Sequence, residues 1–363
     1  MKNCINGLSK DTFLAWFDGC GVALRERYQK VSEEMHPGLE ILAGGRISAP
    51  TRIRRDTALK DRASQLLHSS TLPLRVSGAT ITELFSAVIS AGASVVAKKD
   101  FDPKIPDQTR TPVLFLHGLK ANQAAHAPGR YLLRLYSRFT GRDLGAFYSM
   151  NYANLFSNDK SDTFDTYADR VFKKVQAIYD QTGRVPSVVC HSMGGLVCTR
   201  LAQKLEAASE TGKYRLEGGA DIELSNSEKS ALRISTIVTL ATPFHGSRVA
   251  DAVVASNHLL GRESINVERS MMTDGNAAVR GPVLAELRRY AMVADQTGAI
   301  RFFNAGSTVD AAVPSGYFVT QDPRRQYESC VLGHMGMRLA PSVWYQVGAW
   351  LTEAHDAIES QNQ

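Results

Sequence analysis

Val188-Val189-Cys190-His191-Ser192-Met193-Gly194-Gly195-Leu196-Val197 is the run in which two periodicities meet. Three apolar residues after Pro186 read as the end of a buried strand, whereas Leu196, Val197, Leu201 and Leu205 recur at the spacing of one helix face. A single serine flanked by small residues sits at the junction. A tight strand-to-helix turn of this kind lifts the hydroxyl clear of the sheet edge. It also aims the next backbone N–H and the helix N-terminus at the same point. Serine is a poor nucleophile until such a turn presents it to a base.

Outward from that turn, apolar strand-like runs alternate with helical patterns. Val113-Leu114-Phe115-Leu116 and Ala146 to Tyr152 read as strands. Phe164, Ala168, Val171, Phe172, Val175, Ile178 and Tyr179 mark a helix that stops at Thr182-Gly183. Residues Ala207 to Arg233 are polar and glycine-containing and read as a surface excursion. Ile234 to Leu240, Ile300 to Asn304 and Tyr327 to Leu332 supply further strands. Val343, Val347, Trp350, Leu351, Ala354 and Ile358 close the chain with an amphipathic helix. Such alternation predicts an α/β fold, a mostly parallel sheet covered by helices on both faces.

Upstream, a helical pattern runs from Leu8 to about Met35 and ends at His36-Pro37-Gly38. Thr80-Ile81-Thr82-Glu83 fits a capping box that opens a second amphipathic helix reaching Lys98. Its polar face is serine, threonine and glycine, which favours packing over an interfacial anchor. The proline-containing passage Lys98 to Pro112 reads as a connection. The expected organisation is therefore a mainly helical N-terminal extension, residues 1–110, and an α/β domain over 111–363.

With 363 residues, 44% hydrophobic and 21% charged, the chain has the composition of a globular enzyme. A net charge of +6 permits peripheral contact with an anionic lipid surface, although a solvated basic face is the plainer meaning. Asp56 and Asp61 interrupt the arginines near residue 50, and no stacking aromatics accompany them, so nucleic acid is not an expected partner. The five cysteines show no C-x-x-C spacing, which argues for a reducing compartment. The N-terminus lacks the apolar core of a signal peptide and no stretch reaches the length of a membrane span, so a cytoplasmic location is expected. Export without a cleaved signal stays open. No H-E-x-x-H, EF-hand, P-loop or dinucleotide glycine pattern occurs, and neither cofactor nor metal is expected.

Several stretches carry a family resemblance. They are Leu116-His117-Gly118-Leu119, the turn Cys190-His191-Ser192-Met193-Gly194, Leu240-Ala241-Thr242-Pro243-Phe244-His245-Gly246-Ser247, and Ala305-Gly306-Ser307-Thr308-Val309-Asp310-Ala311-Ala312-Val313-Pro314. Together they resemble the α/β-hydrolase superfamily of the bacterial lipase and esterase type, with Cys190 standing where G-x-S-x-G has its first glycine. The resemblance covers roughly residues 110–360 and implies the order nucleophile, acid, histidine.

On that order Ser192 is the expected nucleophile. Asp310 is the acid, with Asp295 and Asp322 as rivals. His334, in Cys330-Val331-Leu332-Gly333-His334-Met335-Gly336, is the base. His36, His68 and His126 precede the serine, His117 and His191 belong to strand ends, His245 and His258 border or enter the cap, and His355 lies on the final helix. The resemblance implies backbone N–H donors for an oxyanion at Leu119 and Met193. The Thr242-Pro243 stretch receives no catalytic role and is expected to fix the loop leading into the cap. An apolar interval over about 248–290 is expected to form a helical cap or lid, with static packing beside the site as the alternative. The implied activity is carboxylic-ester hydrolysis of an acyl ester or lipid through an acyl-enzyme on Ser192. A phospholipase, thioesterase or amidase would use the same groups, and a catalytically silent binding protein is the reading outside enzymology.

Overall fold

A computed structural model describes residues 103, 107–119, 121–153, 162–259, 270–271, 283–308, 310, 312–313, 318–329 and 332–361. The chain divides into two units, Met1–Leu74 and Arg75–Gln363, and every described residue belongs to the second. The helices expected over Leu8 to Met35 and Thr80 to Lys98 lie outside the described residues.

In chain order the elements are β1 (Val113–Leu116), α1 (Ala127–Thr140), β2 (Phe147–Met150), α2 (Phe164–Thr182), β3 (Ser187–His191) and α3 (Met193–Thr211). There follow β4 (Lys213–Arg215), β5 (Asp221–Glu223), α4 (Asn226–Ala231), β6 (Thr236–Leu240), α5 (Arg248–Leu259) and α6 (Val283–Gln296). The last are β7 (Arg301–Ser307), β8 (Gln326–Ser329) and α7 (Pro341–Gln361). Six strands form one sheet in the order β2-β1-β3-β6-β7-β8, with every neighbouring pair parallel, as the alternation predicts.

The period-2 geometry of the strands divides the core. Leu114, Leu116, Val188, Cys190, Ile237 and Phe302 pack on one face with Phe172 and Val175 of α2, Leu196 and Leu201 of α3, and Leu284 and Leu287 of α6. Their sequence neighbours Val113, Phe115, Val189, Val238 and Phe303 point to the other face, among Leu133 of α1 and Trp344, Val347 and Trp350 of α7. Strands buried on both sides are uniformly apolar, which explains their unbroken hydrophobic runs.

The strand order reverses between β1 and β3. The chain leaves β1 toward β2 at one side and returns to place β3 on the other, so the carboxyl ends of β1 and β3 lie side by side at the switch point. There, connections depart to opposite faces and leave a crevice, the usual ligand position in open α/β sheets. Register pairs Leu116 with Cys190 and His191 with Leu240. Thus the loops after β1, β3 and β6 emerge together.

Three segments add detail to that pattern. Helix α1 was not marked by strand alternation, although Pro128 at its start and Gly141 at its end, φ 69°, are ordinary helix punctuation. The polar stretch after Ala207 is ordered: α3 continues to Thr211, and β4 and β5 form an antiparallel pair. Tyr214 of that pair is fully buried and stacks on Phe172 with ring centroids 3.8 Å apart. Finally, residues 283–290, the far end of the interval expected to form a cap or lid, begin α6, whose Leu284, Leu287 and Ala291 are fully buried, while residues 260–269 and 272–282 of that interval lie outside the described residues. Arg200 on α3 bonds both Asp165 of α2 and Glu286 of α6, tying these helices together.

Candidate active site

Ser192 follows β3 directly and acts as the residue before the first turn of α3, with φ 55° and ψ −128°. That backbone lies outside the regions an L-residue normally occupies and costs on the order of 1–3 kcal/mol, held only because its surroundings over-determine it. Two bonds do so: the Ser192 N–H donates to the Leu240 carbonyl at 2.8 Å, and the Gly195 N–H donates to the Ser192 carbonyl at 3.0 Å. The glycines after the serine are required by close approach. A Cβ on Gly194 would stand 2.7 Å from the carbonyl oxygens of Leu116 and His117, and one on Gly195 would stand 2.1 Å from Thr242 Oγ1. Thr242, in the stretch with no expected catalytic role, is therefore the wall against which the elbow helix packs.

His334 and Asp310 converge on the serine from loops 142 and 118 residues downstream in the chain. His334 Nε2 lies 2.9 Å from Ser192 Oγ, and His334 Nδ1 lies 2.8 Å from Asp310 Oδ2. A carboxylate accepts, so Nδ1 carries the hydrogen and Nε2 is left with a lone pair facing the hydroxyl. The other carboxylate oxygen, Oδ1, accepts the N–H groups of Ala312 at 2.8 Å and Val313 at 2.9 Å. Asp310 is thereby locked by three donors. Its side chain is 1% exposed against 15% for His334, so solvent or substrate meets the imidazole and not the acid. The rivals are engaged elsewhere. Asp295 pairs with Arg325 at 2.6 Å and Asp322 with Arg324 at 2.9 Å.

The loop after β1 abuts the serine. A Cβ on Gly118 would lie 2.9 Å from Ser192 Cβ and 3.1 Å from His191 Nδ1, so only glycine leaves room there. The Gly118 carbonyl accepts from His117 Nδ1 at 2.8 Å and from the Ala121 N–H at 3.3 Å. Because a peptide unit is planar and trans, fixing that carbonyl also fixes the Leu119 N–H, which points the opposite way. The His117 carbonyl accepts the Tyr152 hydroxyl, whose ring stacks on the His117 imidazole at 4.5 Å. His126 Nε2 donates to the Leu116 carbonyl at 2.9 Å. Met193, the second expected donor, is the first residue of α3, where the helix leaves its own N–H groups without acceptors.

Burial holds the histidines around this loop in their neutral form. It lowers His117 to about 4 and His126 to about 3, with the Arg338 guanidinium adding to the effect in both. Burial likewise depresses His191, reinforced by Arg338 and His334. Burial drives the Cys190 thiol in the opposite direction, well above its ordinary value, with Cys198 beside it. A thiol that resists ionisation and lies in the core makes no competing nucleophile. Among the described residues no cluster of three or more His, Cys, Asp or Glu side chains is placed to hold a metal ion. Among the described residues, too, no helix is long and apolar enough to cross a membrane.

Residues 108–276 match a family model described as "Putative serine esterase (DUF676)", a span that contains Leu119, Ser192 and Met193 and ends before Asp310 and His334. No curated protein matches the chain. Solved structures similar to it include the mature form of the lipase BlEst2 from Bacillus licheniformis, 16% identical, with a TM-score of 0.44 over 70% of this chain and 97% of that one. A monoacylglycerol lipase from Paleococcus ferrophilus is 16% identical, with a TM-score of 0.40 over 70% of this chain and 99% of that one. The phospholipase PlaB from Legionella pneumophila is 16% identical, with a TM-score of 0.37 over 57% of this chain and 45% of that one.

Proposed function

We propose that this protein, an α/β-hydrolase by fold, is a serine carboxylic-ester hydrolase that cleaves an acyl ester or lipid ester through an acyl-enzyme on Ser192. The observation that carries the reading is the unbroken relay from Ser192 Oγ through both nitrogens of His334 to Asp310. Two hydrogen bonds in line, with the acid sealed and the serine on a strained turn, have little structural use apart from activating a hydroxyl.

In this mechanism Ser192 Oγ attacks the ester carbonyl carbon while its proton passes to His334 Nε2. The imidazolium so formed faces Asp310, whose carboxyl group is held in place by the Ala312 and Val313 amides. The carbonyl oxygen, now negative, is met by the N–H groups of Leu119 and Met193. His334 then protonates the departing alcohol, and the acyl group stays on Ser192. Water repeats the sequence with His334 as base and releases the acid.

A fluorophosphonate probe tests the assignment. The wild-type protein is expected to label at one site, and Ser192→Ala to abolish both labelling and hydrolysis of a nitrophenyl ester. Labelling that survives the substitution, or a wild-type protein inert to both reagents, would refute it.

A further inference from the structure

We propose that His191 is a positioning residue for the reaction proposed above, holding the backbone of His334 so that the base faces Ser192. The inference rests on that reading of the site.

His191 is 2% exposed and is the last residue of β3, where pairing with Leu240 fixes its backbone. Its Nε2 lies 3.0 Å from the carbonyl oxygen of His334. A carbonyl can only accept, so Nε2 carries the hydrogen and donates it. The ring lies 4.8 Å from the His334 ring, tilted by 54°. On its other side Nδ1 comes within 3.1 Å of the point a Cβ on Gly118 would occupy, and among the described residues Nδ1 has no hydrogen-bond partner. His191 therefore bonds the loop that carries the base and stands beside the turn before the Leu119 amide.

The connection closes a ring of contacts. Ser192 reaches the His334 side chain, the His334 carbonyl reaches the imidazole of His191, and His191 is bonded covalently to Ser192. Such a ring ties the position of the base to that of the nucleophile. Burial, with the nearby Arg338 adding to it, favours the neutral imidazole, whose tautomer is set by the His334 carbonyl that Nε2 faces. Productive hydrogen-bond geometry is steep in position, and a displacement of about 1 Å can lower a rate by roughly 10²-fold.

Three variants of the full chain test this: His191→Gln, which keeps a donor at about the right reach, His191→Met, of similar length without one, and His191→Phe, which keeps a ring. The readouts are kcat and KM on a short-chain nitrophenyl ester, the pH–rate midpoint, and the fluorophosphonate labelling rate. Expected is a fall in kcat of about 10- to 100-fold in His191→Met and His191→Phe with KM within about twofold, a displaced pH midpoint, and most of the activity restored in His191→Gln. Should His191→Phe fail to fold, the pair His191→Gln and His191→Met decides, with thermal midpoints measured alongside. Equal kcat and pH profiles in His191→Gln, His191→Met and wild type would overturn the positioning role and leave the hydrolase reading intact. An inert wild-type protein would overturn both.

Discussion

Asp310→Asn offers the sharpest test of the relay, because the structure dictates how the amide must sit. The carboxyl group spends one oxygen on two backbone donors, Ala312 and Val313, and the other on His334 Nδ1. Asparagine has one acceptor and one donor end. Turning the NH2 toward the two amides would set donor against donors in a pocket where residue 310 is 6% exposed, leaving two buried N–H groups without acceptors. Each costs about 1–3 kcal/mol, so this orientation is disfavoured by about 2–6 kcal/mol. The carbonyl therefore stays on the amides and the NH2 faces His334. Nδ1 must then accept, the hydrogen moves to Nε2, and the lone pair needed by Ser192 is gone. At about 1.4 kcal/mol per decade, restoring the working tautomer costs roughly 30-fold to 10⁴-fold in rate.

Steady-state hydrolysis of a nitrophenyl ester, with the fluorophosphonate labelling rate as a second readout, measures the loss. The expected result is a fall in kcat within that range, KM nearly unchanged and the thermal midpoint close to wild type. A variant that keeps kcat within about threefold of wild type would show that Asp310 does not set the tautomer of His334, and the relay would lose its acid.

Gly118→Ala brings a methyl group to 2.9 Å from Ser192 Cβ, and the turn must move. Displacing the Leu119 amide is expected to cost about 10²–10³ in kcat, the usual loss for one oxyanion donor; full activity with an unchanged thermal midpoint would remove this loop from the reaction. Acid stability follows from the buried histidines. His117 and His355 are lowered to about 4 and His126 to about 3, from 6.5, chiefly by burial. The native state therefore binds fewer protons than the unfolded chain below pH 6.5, so this stability is whole above that pH and is lost as pH falls toward 4. Urea unfolding is expected to weaken by up to about 2 kcal/mol per imidazole between pH 6.5 and pH 5, and a flat profile would mean these rings are protonated or hydrated in the folded protein.

Much of this was readable in the chain because it is local. The apolar run before Ser192, the small residues after it and the helix face at Leu196, Leu201 and Leu205 lie within a few turns of one another, and their spacing carries the strand, the turn and the helix. Where the local pattern was weak, reading stopped short. The hairpin carrying Tyr214 was hidden in a polar stretch because its one deeply buried ring finds its partner, Phe172, across the fold.

Sequence alone determined that a parallel sheet would form and that a serine would stand at its edge, since period and turn chemistry are properties of neighbouring residues. Tertiary structure decided the rest. The Ala312 and Val313 amides that lock Asp310, the Thr242 wall beside Gly195 and the His191 bond to the His334 backbone join residues far apart along the chain. Such contacts leave no periodic trace, because they depend on which loops the strand order brings to a common edge. Here the reversal between β1 and β3 provides that edge.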